Sequence, residues 1–397
     1  MEKVGVVLSG GGAKGAYQIG VWKALNKLKI KYDIVTGTSV GALNGLMFVQ
    51  KEYRKAYKIW KNISYDFIFD EHEKLNVKAD EIYKIYISEF FKHGGMEVKQ
   101  LERQIELAYD EKKFYSSNVD YGIVVFNLSK LKPEMITKSK LTKENIKDYV
   151  LASACCFPTF KIKKIQGTNY IDGGYYDNMP INLCEELGAT KVIAVDTKAI
   201  GIKRKVKNKD LQVITISPNN KIIPLLVFDK NLAIQTMKFG YNDTMKVFGK
   251  YMGKTFTYKI NSFKKFERKY NIKISINEIL KYYTLKKQQE IYKILSKPTL
   301  LDIAEYTGVS FNLVQEKIYS IKKFNKLLLK QLENTDSTKI DLKSIKYNDK
   351  KLIKNKEYIK FILEKICDKN ETLIKEFISN TPKEFLSALY LYTIINN

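Results

Sequence analysis

Apolar positions along the first 250 residues follow two alternating periods. Short apolar runs predict buried strands at Val4–Leu8, Tyr32–Val35, Tyr121–Leu128, Thr168–Ile171, Lys191–Asp196 and Leu211–Ile216. Between them, apolar residues at helical spacing predict helices at Gly15–Leu28, Val40–Val49 and Ile181–Leu187. Strand and helix taking turns is the rhythm of an α/β fold with helices on both faces of a sheet. From about Tyr251 the strand pattern stops. Lysine-rich amphipathic segments follow, among them Ile276–Leu295 and Lys351–Ile366, and predict a separate all-α domain over residues 251–397 behind a core of residues 1–250.

The chemistry is concentrated in the first core. Directly after the first strand stands Gly10-Gly11-Gly12-Ala13-Lys14-Gly15, and the second strand runs into Gly37-Thr38-Ser39-Val40-Gly41. A serine on a tight strand-to-helix turn projects its hydroxyl as a nucleophile, and the helix behind it favours negative charge at its start. Glycine backbones turn their N–H groups toward a substrate without obstruction by Cβ atoms. The expected oxyanion donors are the amides of Gly10, Gly11, Gly12 and Val40, with Gly15, Gly37 and Gly41 making room for the turns; Lys14 braces the loop, attracts a phosphate or is simply a solvated lysine at the helix start.

A base is also required. The chain has two histidines, His72 and His93, both in polar stretches that read as surface. The better candidate is Asp172 in Tyr170-Ile171-Asp172-Gly173-Gly174, where a carboxylate ends a strand and two glycines allow close approach. A Ser39–Asp172 dyad is the expectation. The pattern Gly10-x-Gly12-x-x-Gly15 also fits a dinucleotide-binding turn, with Asp33 placed as the ribose acid. Gly11, the serine turn and the Asp-Gly-Gly block together decide for an acyl-ester hydrolase.

These three blocks, in this order, resemble the bacterial branch of the patatin-like phospholipase family. The resemblance covers residues 1–250. It implies a three-layer α/β/α core with a mostly parallel sheet, catalysis by Ser39 and Asp172 without histidine, no cofactor or metal, and a phospholipid, lysophospholipid or other acyl-ester lipid as substrate. An acyltransferase using the same acyl-enzyme, or a lipid- or nucleic-acid-binding regulator, remain alternatives. Ala152-Ser153 with Pro158 is similar to another block of the family, but its proline is displaced by one position and no role is transferred. Gly240-Tyr241-x-Asp243 is similar to the family's closing helix.

Composition adds three constraints. The four cysteines form neither a disulfide framework nor a metal-ligand spacing and fit a reducing cytoplasm. No apolar run approaches the ~20 residues that cross a bilayer, and the run at Val4–Leu8 is too short for a signal peptide. The net charge is +26, half of it in residues 251–397, which attracts phosphate-bearing partners, an anionic inner membrane face included. In the tail, Pro298–Ile318 looks like a helix-turn-helix, with Gly308 at the turn, Ala304 at the helix crossing and Ile303, Val309, Val314 and Ile318 inward. Phe311, Asn312 and Gln315 would then face DNA, whereas Glu305 and Glu316 on or near that face fit a packing or protein-contact module, a lid or a membrane-facing surface instead. Lys322, Lys323, Lys326 and Lys330, interleaved with Phe324, Leu327, Leu328 and Leu329, fit either a lipid-surface helix or an ordinary amphipathic helix packed on its neighbours.

Overall fold

The computed structural model describes residues 2–69, 79–270, 288–289, 292–293, 295–338, 340 and 356–396. The chain divides into two compact units, Met1–Val247 and Phe248–Asn397.

In the first unit the strands are β1 Val4–Leu8, β2 Ile34–Gly37, β3 Asp120–Asn127, β4 Lys132–Thr137, β5 Lys163–Ile165, β6 Thr168–Asp172, β7 Lys191–Val195 and β8 Gln212–Ile216. The helices are α1 Ala16–Lys27, α2 Val40–Val49, α3 Tyr53–Lys61, α4 Ala79–His93, α5 Lys99–Ala108, α6 Glu111–Ser116, α7 Ile146–Ala154, α8 Ile181–Glu186 and α9 Lys230–Val247. The sheet has the order β5-β6-β3-β2-β1-β7-β8, with β4 also paired to β3. β2, β1, β7 and β8 run parallel to one another and β3 joins β2 in parallel. β4, β5 and β6 are antiparallel to their neighbours.

Period-two alternation explains the layers. A Cβ on Gly45 of α2 would touch Leu8, Val35 and Tyr121, while one on Gly5 would strike Cys184 of α8 and one on Gly122 would meet Leu183. Successive residues of one strand thus face α2 and α8 on opposite sides, which makes the expected α/β/α arrangement. Outside this sandwich α1 and α9 pack backbone to backbone: a Cβ on Gly20 would fall 1.9 Å from the Met237 carbonyl, and one on Gly240 2.1 Å from that of Tyr17. The Tyr17 hydroxyl donates to Asp243 at 3.0 Å, so the Gly240–Asp243 segment does close the unit as a helix.

The second unit is mainly helical but not all-α. Its helices are α10 Ile260–Lys269, α11 Leu300–Ser310, α12 Ile321–Glu333, α13 Lys356–Cys367, α14 Glu371–Asn380 and α15 Pro382–Ile395. Three short strands, β9 Tyr251–Met252, β10 Thr257–Lys259 and β11 Ile318–Tyr319, form a small sheet. Most of the predicted helix Ile276–Leu295, and the start of Lys351–Ile366, lie outside the described residues.

The expected helix-turn-helix does not form. Gly308 lies inside α11, where its missing Cβ admits the rings of Phe324 and Phe256. α11 closes at Phe311 with paired bonds from Leu313 N–H to the Gly308 carbonyl (2.9 Å) and from Asn312 N–H to that of Val309 (3.0 Å), Asn312 taking the left-handed conformation at φ 54°. Phe311 is buried, whereas Val309 and Val314, expected inward, are exposed. Residues 311–317 contain no helix and lead into β11, so the element that would read DNA is missing. In α12, Phe324 and Leu328 are buried and Leu327 and Leu329 pack against the same core. That is the ordinary packed amphipathic helix, with no apolar face left for lipid.

Candidate active site

Pairing along β3 brings the serine and the aspartate together. β4 occupies one edge of β3 from Gly122 to Asn127. On the other edge β2 ends with Gly37 opposite Ile123, and β6, running the opposite way, ends with Asp172 opposite Val125. The two strands therefore run toward each other and stop on either side of Val124. Ser39 follows one end, and Asp172 is the other.

Ser39 sits at the start of α2 with φ 57° and ψ −127°, a conformation that costs a non-glycine residue on the order of 1–3 kcal/mol. The surroundings enforce it. A Cβ on Gly37 would fall 2.2 Å from the Gly41 carbonyl, and one on Gly41 2.0 Å from that of Leu8, so only glycines permit the turn. The Thr38 hydroxyl donates to the Asp177 carbonyl at 2.8 Å. The Ser39 amide donates to the Ser153 hydroxyl at 3.0 Å, and that hydroxyl donates to the Val124 carbonyl at 2.7 Å, filling the gap between β2 and β6. The end of α7 also holds the partner, because the Cys155 carbonyl accepts the Asp172 amide at 3.0 Å.

The Asp172 carboxylate accepts the Gly174 amide at 2.7 Å and faces the Ser39 hydroxyl. Burial raises its pKa to about 6, and these two neighbours, which favour the anion, pull against that rise. A carboxylate so placed is ionised at neutral pH yet more basic than one in water. Gly173 passes close to the sheet, where a Cβ would meet the Val124 carbonyl at 2.1 Å. His93 is exposed and lies 3.9 Å from Glu89; His72 falls outside the described residues.

Gly10 departs from the expectation. Its amide donates to the Asn178 carbonyl at 3.0 Å, and a Cβ there would strike the Asn178 side chain at 2.1 Å, so Gly10 is a packing residue and presents no donor. Gly11 (φ 152°) and Gly12 (φ 51°) adopt left-handed backbone geometry and line the same cavity as Ser39, Val40 and Asp172. No backbone acceptor is bonded to the amides of Gly11, Gly12 or Val40 among the described residues, as an anion-binding cradle requires. Lys14 proves to be a brace. Its ammonium donates to the Lys198 carbonyl at 3.0 Å, with its pKa lowered by burial. Gly15 lies against Val40 and the Trp60 ring. Sequence reasoning missed Asn178, a buried cavity-wall residue whose side-chain N–H group has no hydrogen-bond partner.

The cavity over these groups has a volume of about 570 Å³, within the range of small-molecule sites. Its wall is mostly apolar, built by Met47 of α2, Trp60 of α3, Leu101 and Ile105 of α5, and Phe228. Trp60 is fixed by a 2.9 Å bond from its indole N–H to Asn44. An alcohol, a carboxylate and unpaired amides at one place in such a cavity can attack an ester whose acyl part is apolar.

Part of the first unit is similar to known proteins. Residues 6–184 match the family model described as patatin-like phospholipase. Lysophospholipase nte1 of Aspergillus terreus is 31% identical over 208 residues, and lysophospholipase NTE1 of Chaetomium globosum 26% over 200 residues. Each match covers 50% of this chain but 12% of the relative, so the chain corresponds to a small part of those proteins. Among solved structures, VipD from Legionella pneumophila aligns over 99% of this chain and 91% of its own, at 13% identity and a TM-score of 0.39, a score from which no shared feature is inferred. On the family match, residues 6–184 of this chain form a patatin-like phospholipase domain.

Proposed function

We propose that the protein hydrolyses a fatty acyl ester of a phospholipid or lysophospholipid. Asp172 takes the proton of the Ser39 hydroxyl as the oxygen attacks the ester carbonyl, and the amides of Gly11, Gly12 and Val40 receive the oxyanion. The tetrahedral intermediate expels the lipid alcohol, which takes the proton from Asp172, and leaves the acyl group on Ser39. Water, deprotonated by Asp172, then attacks the acyl-enzyme, and the fatty acid leaves as the Ser39 oxygen takes the proton back from Asp172. The observation that carries this reading is that Ser39 and Asp172 face each other on the wall of one apolar cavity.

Among the described residues no helix is long and apolar enough to cross a membrane. The four cysteines are free thiols, two of them buried, which suits the reducing cytoplasm as the site of action. Purified wild type, Ser39→Ala and Asp172→Asn are to be compared on a fluorogenic long-chain acyl ester. Loss of turnover in both variants is expected; equal rates in all three would reject the mechanism.

A further inference from the structure

Between β7 and β8 the connection 196–211 carries six cationic residues, Lys198, Lys203, Arg204, Lys205, Lys207 and Lys209, against two acids, Asp196 and Asp210. Its two isoleucines face water: Ile200 is 93% exposed and Ile202 49%. Both contribute to the wall of the cavity that holds Ser39, together with the exposed Tyr175. Single exposed apolar residues are ordinary. Two of them at the opening of an apolar cavity, followed at once by a run of cations, need a reason.

The segment is held firmly where it meets the site. The Ile202 amide donates to the Gly174 carbonyl at 3.0 Å, the Ile202 carbonyl accepts the Asn178 amide, and the Lys14 ammonium holds the Lys198 carbonyl. Lys203 pairs with Asp196 at 2.7 Å, and the Arg204 guanidinium lies over the Tyr176 ring at 4.0 Å. These contacts employ the first cations of the run within the fold. Lys205, Lys207 and Lys209, by contrast, are exposed, Lys207 standing 3.8 Å from Glu186 with 78% of its side chain in water.

We propose that this segment seats the protein on the surface of an anionic phospholipid bilayer. Ile200 and Ile202 enter the acyl region while Lys205, Lys207 and Lys209 lie among the headgroup phosphates. An array of phosphates is the partner that a run with a net charge of +4 complements, and two isoleucines are enough to dip into lipid but offer little area for a stable protein interface. The backbone of Ile202 is bonded to residues 174 and 178, beside Asp172, so docking brings the cavity opening onto the lipid, and an acyl chain enters without crossing water. The use of the surface rests on the hydrolase reading; the docking does not.

The test uses the full-length protein carrying Ser39→Ala, so that no lipid is consumed, and measures flotation with vesicles of phosphatidylcholine alone or mixed with phosphatidylglycerol. Binding to the anionic vesicles, weakening with salt, is expected. Adding Lys205→Glu, Lys207→Glu and Lys209→Glu together should lower that affinity by about a hundredfold, at roughly fivefold per cation lost. Adding Ile200→Ser and Ile202→Ser should lower it at least about tenfold, with the melting temperature of each protein showing that it is folded. Absence of binding, equal binding to both vesicle types, or undiminished binding by either variant would overturn the proposal, the last result placing the contact elsewhere. A protein inactive on every soluble ester would strike the hydrolase reading and leave the flotation result standing.

Discussion

The Ser153 hydroxyl accepts the Ser39 amide at 3.0 Å and donates its own hydrogen bond to the Val124 carbonyl at 2.7 Å. Val124 is where β2 and β6 stop short of each other, so this hydroxyl replaces the missing ladder partner between the two strands that deliver the nucleophile and its base. Ser153→Ala leaves a buried donor and a buried acceptor unpaired, at about 1–3 kcal/mol. The expected result is a lower melting temperature together with a fall in kcat of about tenfold or more at nearly constant KM, because the strained Ser39 turn loses its support while the cavity wall is unchanged. A parallel rise in KM would assign Ser153 to substrate binding instead.

Asp172→Asn preserves shape and removes the base. Turnover of an acyl ester should drop by about a hundredfold or more. Far-UV circular dichroism and melting of the variant should show a folded protein, since the buried anion is the costly group and its amide substitute is neutral.

Activity should depend on pH through the same carboxyl. With the pKa raised to about 6 by burial, kcat/KM on an uncharged ester should rise with pH through about 6 and level off above it. The sign for stability is opposite. A carboxyl whose folded pKa exceeds its unfolded value of about 3.9 gives stability that is fully present below about 3.9 and is lost as pH rises through about 6, on the order of 2–3 kcal/mol. Asp172→Asn removes that loss, so the gap in melting temperature between wild type and variant should widen in the variant's favour from pH 4 to pH 7; a constant gap would contradict the assigned pKa.

Much of the site was legible because its parts are local. Gly37-Thr38-Ser39-Val40-Gly41 and Asp172-Gly173-Gly174 each need particular residues at adjacent positions, and the apolar runs of β1 and β7 announce strands buried on both faces. What sequence hid is nonlocal. Ser153 acts on Ser39 across 114 positions, and its function appears only when the register of β2 and β6 on β3 is known. Three consecutive glycines look alike in sequence, yet the amide of Gly10 is taken by Asn178 while those of Gly11 and Gly12 are not. In the second unit, Gly308 and Asn312 carry turn character, but the turn they make is the end of α11, because Phe311 belongs to the core.

The cavity wall offers a test of acyl selection. Ala108, at the end of α5, lines the cavity with Leu101 and Ile105. Ala108→Phe fills part of the space, and hydrolysis of long-chain esters should fall about tenfold or more relative to short-chain esters; an unchanged chain-length profile would remove α5 from the acyl site.

The central claim is that the Ser39 hydroxyl is activated by Asp172, and covalent capture reads it most directly. Full-length protein treated with a fluorophosphonate should gain one adduct, located by peptide mass spectrometry on Ser39, with the rate of capture falling at least about a hundredfold in Asp172→Asn. An unlabelled wild-type protein, an adduct on another residue, or equal capture rates in the two proteins would contradict the account.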